Sequence, residues 1–362
     1  MLNPIQTEEK RLIRRRSNLA AVAVMLMLVM TYVLGFGVAI LQMFGVDVGL
    51  STYMNGDTLT ASDPNRYLVL NLVLYIGMLG VPALVGWLLL GAQQEKLQVY
   101  RPLSADRWVG YLMLGMGMCI FANIVAYGTT VVFSLFSLYP SDVPNTADGT
   151  LVNWLLSMVG TAVLPAILEE LLFRGVVMGL LRPAGDRVAI LVSALLFSLA
   201  HGTLTQIPFA FVLGLVFGFL YVRTGSLLVP MVLHFLNNGM AVTFECLVPV
   251  LGEDTVTLIV YLVYAVLALL GAIGAAYLHT RRDRPLQAIG QGASALSYGQ
   301  RLKAALCTVV MIIVLVWSAL QLPMNVEYDP DREQPSGVED VQPDDGLFAG
   351  DGNGESAGVA WS

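Results

Sequence analysis

The chain has 362 residues, of which 56% are hydrophobic and only 12% charged, with a mean hydropathy of +0.72 and a formal charge of −7. An ordinary soluble domain carries about 25% charged residues, so the composition excludes a disordered chain, a nucleic-acid binder and a typical cytosolic enzyme and leaves a polytopic membrane protein. Cys119, Cys246 and Cys307 are isolated and odd in number, which gives neither a disulfide framework nor a thiolate metal site.

A helix needs about 20 mainly apolar residues to cross a hydrocarbon core. After a basic N-terminus, residues 1–17, that rule predicts spans at 18–43, 67–92, 108–138, 152–181, 227–249, 255–279 and 303–322. Two shorter apolar runs, 188–200 and 206–222, lie between Arg187 and Arg223 and are separated by Gly202-Thr203 and Pro208. They read as a tight helical hairpin that crosses twice. The expected fold class is therefore all-α, a polytopic transmembrane helical bundle of about nine helices. The first span is too long for a signal-peptide core and has no clear small-residue cleavage site after it, so it reads as an uncleaved anchor. The spans group into N-terminal helices within 18–149, a core at 150–249 and C-terminal helices within 250–322. The tail, 323–362, holds ten acidic residues against Arg332 alone; its net charge of −9 leaves +2 on the rest of the chain. Rich in Gly, Pro and Asp and poor in large apolar side chains, it is expected to be disordered.

Lys and Arg gather in the short cytoplasmic loops of membrane proteins. With the N-terminus inside and nine crossings, sixteen of the nineteen basic residues fall on the cytoplasmic side. Arg66 and Arg332 fall outside, and Arg174 lies within a span. Removing either short span would invert every later loop and misplace the basic cluster Arg281, Arg282 and Arg284. The expected topology is a multi-pass plasma-membrane protein of bacterial character, N-terminus cytoplasmic and C-terminal tail extracytoplasmic.

Ionisable side chains inside a bilayer are expensive, and each is a functional-site hypothesis by default. The spans hold Glu169, Glu170, Arg174, His201, His234 and Glu245, with Asn237 and Asn238 as polar neighbours. Residues four apart share a helix face, which lets Glu170 pair with Arg174. Glu169, turned by about 100° from Glu170, is free to face something else, and a carboxylate in a low-dielectric site suits a general base that activates water. His201 ends the run Phe197-Ser198-Leu199-Ala200-His201, and His234 shares a face with Asn238. At 1.5 Å per residue, Glu169 lies roughly 20 Å from Arg182, His201 roughly 21 Å from Arg187 and His234 roughly 16 Å from Arg223. Three helices thus carry a Glu and two His to one depth. Glu245, near the outer end of its span, and His279, beside Arg281, read as interfacial residues.

Two chemistries fit such a cavity. Glu169, His201 and His234 can hold a zinc ion with a fourth position open for water; alternatively Glu169 and His201 activate water directly while His234 and Asn238 hydrogen-bond the oxyanion. Both hydrolyse a peptide bond. The absence of an HExxH helix weakens the zinc alternative, and no organic-cofactor motif occurs.

Glu-Glu-x-x-x-Arg, Phe-x-x-x-His and His-x-x-x-Asn, in this order on consecutive membrane segments, resemble the three motifs of the CPBP intramembrane proteases, the family of CAAX prenyl endopeptidases and bacteriocin-processing or immunity proteins. The resemblance covers about residues 150–247. It implies Glu169 as catalytic base, Glu170 as its neighbour with Arg174 in support, His201 as a second catalytic or metal-binding residue, and His234 with Asn238 as a metal-binding or oxyanion pair. It further implies an endopeptidase, metal-dependent or glutamate-dependent, acting on a membrane-associated peptide or protein. The alternatives are a non-catalytic self-immunity or scaffold protein and an ion-coupled transporter. Against the last, the sequence shows no convincing two-half repeat.

Overall fold

A computed structural model describes residues 3–55, 58–93, 99–140, 144–204, 206–281 and 294–329. Lys96, Arg282, Arg284, Arg332 and the greater part of the acidic tail lie outside these residues. The bundle runs through α1 (Pro4–Met43), α2 (Pro64–Ala92), α3 (Ala105–Ser134), α4 (Leu151–Ala184), α5 (Asp186–Ala200), α6 (Gln206–Thr224), α7 (Leu228–Leu251), α8 (Glu253–Thr280), α9 (Tyr298–Leu306) and α10 (Val309–Gln321). Helix starts follow local chemistry. Asn3 and Gln6 close a capping box ahead of α1 with Pro4 in the first turn, the Asp63 carboxylate accepts the Arg66 N–H ahead of α2, and Ser297 and Gln300 close a second box at α9.

Seven of these helices are long and apolar enough to cross a membrane, and α9 with α10 makes up to eight, in line with an all-α polytopic bundle of about nine. The count departs from the sequence in two places. The run expected as one span at 303–322 is broken: α9 meets α10 at 72° across Cys307 and Thr308. Arg301 and Lys303 make α9 an amphipathic helix, leaving only Val309–Gln321 as apolar rod. The first short span, α5, has 15 residues, or roughly 22 Å of helix, less than a full hydrocarbon core.

Contacts between the connections define two ends. At one, β1 (Thr52–Asn55) and β2 (Thr58–Ala61) form a hairpin, Thr60 bridges to Asn145, and β3 (Leu138–Pro140) pairs antiparallel with β4 (Val326–Tyr328). Val326–Tyr328, near the start of the segment assigned to the acidic tail, are therefore held in a strand. At the other end Leu227 N–H donates to Val99 O, Arg16 to Gln93 O, and Gln6 to Ala295 O, while Arg301 lies against Gly185. Arg101, Arg107, Arg182, Arg187, Arg223 and Arg281 belong to this second, basic end.

Two glycine-mediated crossings bring helices unusually close. A Cβ at Gly271 of α8 would lie 2.6 Å from the Gly117 Cα of α3, and one at Gly214 of α6 would lie 2.8 Å from the Ala194 Cα of α5. Small residues let backbones approach where lipid leaves no hydrophobic drive between helices. The largest buried side chains, Arg174, Phe173, Phe197 and Phe217, gather where α4, α5 and α6 meet.

Candidate active site

The two adjacent glutamates of α4 are held in different ways. Glu170 is completely buried and Arg174 is 1% exposed; Arg174 Nη1 donates to Glu170 Oε1 at 2.8 Å. The same oxygen accepts from Nδ1 of His234 on α7 at 3.0 Å, a donor role fixed by a carboxylate that only accepts. Arg174 also stacks over Phe197 and Phe217, its guanidinium carbon 4.2 and 5.3 Å from the ring centroids. Charge pairing and two aromatic faces thus offset much of the cost of burying this arginine. Two π-helical turns, Met158–Val163 and Leu171–Val177, interrupt α4 on either side of the glutamates. Such turns re-aim side chains along a helix and recur at functional sites.

Glu169 takes the other direction. Its Oε1 accepts from the Tyr75 hydroxyl of α2 at 2.5 Å, and its Oε2 has no hydrogen-bond partner among the described residues. That free oxygen lies 3.8 Å from His234 Nε2. The Glu169 side chain is 15% exposed and lines a cavity of about 250 Å³ together with Tyr75, Phe173, His201, Thr31 of α1 and Gln321 of α10. His201, just past the end of α5, directs Nδ1 to the Phe197 carbonyl at 2.8 Å. A carbonyl only accepts, so Nδ1 carries the proton and Nε2 is left for the cavity. Phe197 is the common support: its ring stands edge-on to His201, His234 and Phe173, and Arg174 covers its face.

Glu169, Glu170, Arg174, His201 and His234 therefore form one assembly, with Glu169 and His201 at the cavity and Glu170, Arg174 and His234 behind it. Asn238 is turned elsewhere: its amide donates to the Thr161 carbonyl of α4 at 3.0 Å. Asn237, one residue earlier, is buried, accepts from Asn123 of α3 at 2.9 Å and donates to Asn238. Glu245 and His279 are exposed on the bundle surface. Among the described residues no three His, Cys, Asp or Glu side chains converge as metal ligands. As placed, Glu169, His201 and His234 do not make a three-ligand zinc set.

Three cavity or network residues were not singled out from sequence. Tyr75, Asn123 and Gln321 lie far from the motifs along the chain, and only the polar group each carries inside an apolar span marks them. Gln321 Nε2 is buried without a hydrogen-bond partner among the described residues.

A polytopic helical bundle with a buried Glu–Arg–His network behind a carboxylate-lined cavity is the class of protein that fold and site define. Residues 151–240 match the family described as Rce1-like, type II CAAX prenyl endopeptidase. The chain is 34% identical over 145 residues to the "Membrane-embedded CAAX protease MroQ" of Staphylococcus aureus (strain USA300), an overlap of 36% of this chain and 57% of that protein. It is 31% identical over 91 residues to the "Putative membrane peptidase YdiL" of Bacillus subtilis (strain 168), covering 25% of this chain and 37% of the relative. The matches thus span about half the length of these relatives or less. No solved structure matches. The 151–240 core is thus similar to the CPBP proteases that its three motifs resemble.

Proposed function

We propose that this protein is an intramembrane endopeptidase that hydrolyses a peptide bond in a membrane-associated peptide or protein by means of a water activated by Glu169. The observation that carries the reading is the asymmetry of the paired carboxylates. Glu170 is locked by Arg174 and His234, whereas Glu169 is anchored through one oxygen by Tyr75, keeps the other without a hydrogen-bond partner among the described residues, and lines with its side chain a cavity it shares with His201.

A water held by the free oxygen of Glu169 gives up a proton to that carboxylate as its oxygen attacks the scissile carbonyl carbon. His201, whose Nδ1–H donates to the Phe197 carbonyl, stabilises the oxyanion through Nε2 as the imidazolium, in which both ring nitrogens carry a proton. Collapse of the tetrahedral intermediate breaks the C–N bond, and protonated Glu169 returns its proton to the leaving nitrogen. The products are a carboxylic acid and an amine, which exchange a proton and leave as carboxylate and ammonium, and Glu169 ends ionised as it began. Tyr75 fixes the carboxylate orientation, and the Glu170–Arg174–His234 network holds α4 against α7.

The proposed orientation places the basic end, with the N-terminus, in the cytoplasm and the β3–β4 end outside. A reporter fused at Asp331 then reads as extracytoplasmic; a cytoplasmic reading overturns that orientation. The activity is tested by incubating purified protein with a library of membrane-associated peptides and identifying products by mass spectrometry. Cleavage by the wild type that disappears in Glu169→Gln and His201→Ala is expected. Absence of cleavage, or equal cleavage by the variants, overturns the assignment.

A further inference from the structure

A second and larger cavity lies away from the glutamates, on the flank where α3, α5, α6 and α8 meet. It is a groove of about 720 Å³, within the range of about 300–1,000 Å³ typical of ligand clefts. The Gly117–Gly271 crossing draws α3 and α8 together, so the floor is made of small residues, among them Ala268 and Ala272. The walls are large and apolar: Phe121 of α3, Ile190 and Leu191 of α5, and Val212, Val216 and Phe219 of α6. A narrow floor between bulky apolar walls suits a linear hydrocarbon chain.

One end of the groove is charged. Arg187 lines it, one turn before Ile190 and Leu191 on the same face of α5. On α6 the groove-facing series Val212, Val216 and Phe219 continues by helical spacing to Arg223, whose guanidinium stacks 5.3 Å from the Phe219 ring centroid. Gly214 opposes Ala194 and Gly218 opposes Ile190. This antiparallel register brings Arg187 and Arg223 to the same end of the α5–α6 hairpin. Nε and Nη2 of Arg223 are buried without a hydrogen-bond partner among the described residues. From Arg223 to Val212 the groove extends roughly 16 Å at 1.5 Å per residue.

We propose that this groove holds an acyl chain of an anionic phospholipid whose phosphate rests against Arg187 and Arg223. The hydrocarbon slot runs inward from the basic end of the bundle, so a lipid of that leaflet enters with its chain in the slot and its headgroup at the two guanidiniums. Neutral lipids with the same chains lack the charge that these arginines complement, and a free phosphate lacks the chain. The site is separate from the Glu169 cavity and does not depend on the peptidase reading.

The test is native mass spectrometry of the full-length protein, delipidated and then titrated with dioleoylphosphatidylglycerol, dioleoylphosphatidylcholine or inorganic phosphate. Two interfacial arginines correspond to a preference of about tenfold to thirtyfold for the anionic lipid. That preference is expected in the wild type, retained in R187K/R223K and abolished in R187Q/R223Q. Ala272→Phe fills the floor from an exposed position, where folding is unthreatened, and is expected to weaken binding of both lipids. Equal retention of the two lipids, phosphate binding as strong as the anionic lipid, or unchanged lipid binding in Ala272→Phe overturns the proposal. If R187Q/R223Q fails to fold, the lysine variant and Ala272→Phe still decide it.

Discussion

Replacing Arg174 by Met isolates the energetics of the buried network. The side chain is 1% exposed, donates to Glu170 at 2.8 Å and covers Phe197 at 4.2 Å. Removing it strips the completely buried Glu170 of its guanidinium partner and leaves His234 as the remaining donor. Breaking one side of a buried ion pair costs about 3–5 kcal/mol. A loss of about 3–5 kcal/mol is expected for R174M in reversible unfolding by dodecyl sulfate in mixed micelles. The double variant E170Q/R174M removes both charges and should recover part of that loss, because a neutral pair in a buried site is often as stable as an ion pair. A loss below about 1 kcal/mol for R174M, or a double variant no more stable than the single one, would refute the view that Glu170 depends on Arg174 for its burial.

Tyr75→Phe deletes a single hydrogen bond to a carboxylate; at about 1.5 kcal/mol, peptidase kcat should fall by roughly tenfold with little change in unfolding, and an unchanged kcat would remove Tyr75 from the account. Gly274→Ala places a Cβ 2.8 Å from the Leu114 backbone nitrogen and 2.9 Å from the Gly110 oxygen. Backbone cannot yield there, so a destabilisation of about 1–3 kcal/mol is expected in the same unfolding assay, and a neutral result would show that α3 and α8 separate freely. At the opposite end, the Gly49 N–H and then the Arg66 guanidinium hold the Asp47 carboxyl below the usual carboxylate range. A lowered folded value means that this tether is intact above the ordinary carboxylate pKa and is lost as pH falls through the lowered one. NMR titration of the Gly49 amide should therefore show its transition on the acid side of free aspartate, and a transition at or above the free value would contradict the contact.

Local spacing made part of the site legible. Glu170 and Arg174 are four apart on a helix, a separation that stacks side chains, and their ion pair follows. The same rule placed Asn238 beside His234, yet the Asn238 amide turns to the carbonyl of Thr161, which lies within the first π-helical turn of α4. His234 binds the second glutamate through Nδ1 while turning Nε2 toward the first, a partition set by how α7 packs on α4 and invisible in either segment alone. Tyr75 reaches Glu169 across 94 positions of sequence, and no periodicity connects them. The bend after Leu306 was hidden for a similar reason. No Pro or Gly marks it, and the basic residues of α9 read as the cytoplasmic flank of a straight span. The pairing of Val326–Tyr328 with Leu138–Pro140 joins two short segments that have no strand signature of their own.

The division of labour between the two glutamates is tested most directly by measuring peptide cleavage and unfolding side by side in Glu169→Gln and Glu170→Gln. Cleavage should be abolished in Glu169→Gln with unfolding close to that of the wild type, because Glu169 is outside the Glu170–Arg174 ion pair and glutamine keeps the Tyr75 hydrogen bond. Glu170→Gln should unfold far more readily, because Arg174 then lies buried without its ion-pair partner. Wild-type cleavage by Glu169→Gln, or a stability loss that falls on Glu169 and spares Glu170, would contradict the account.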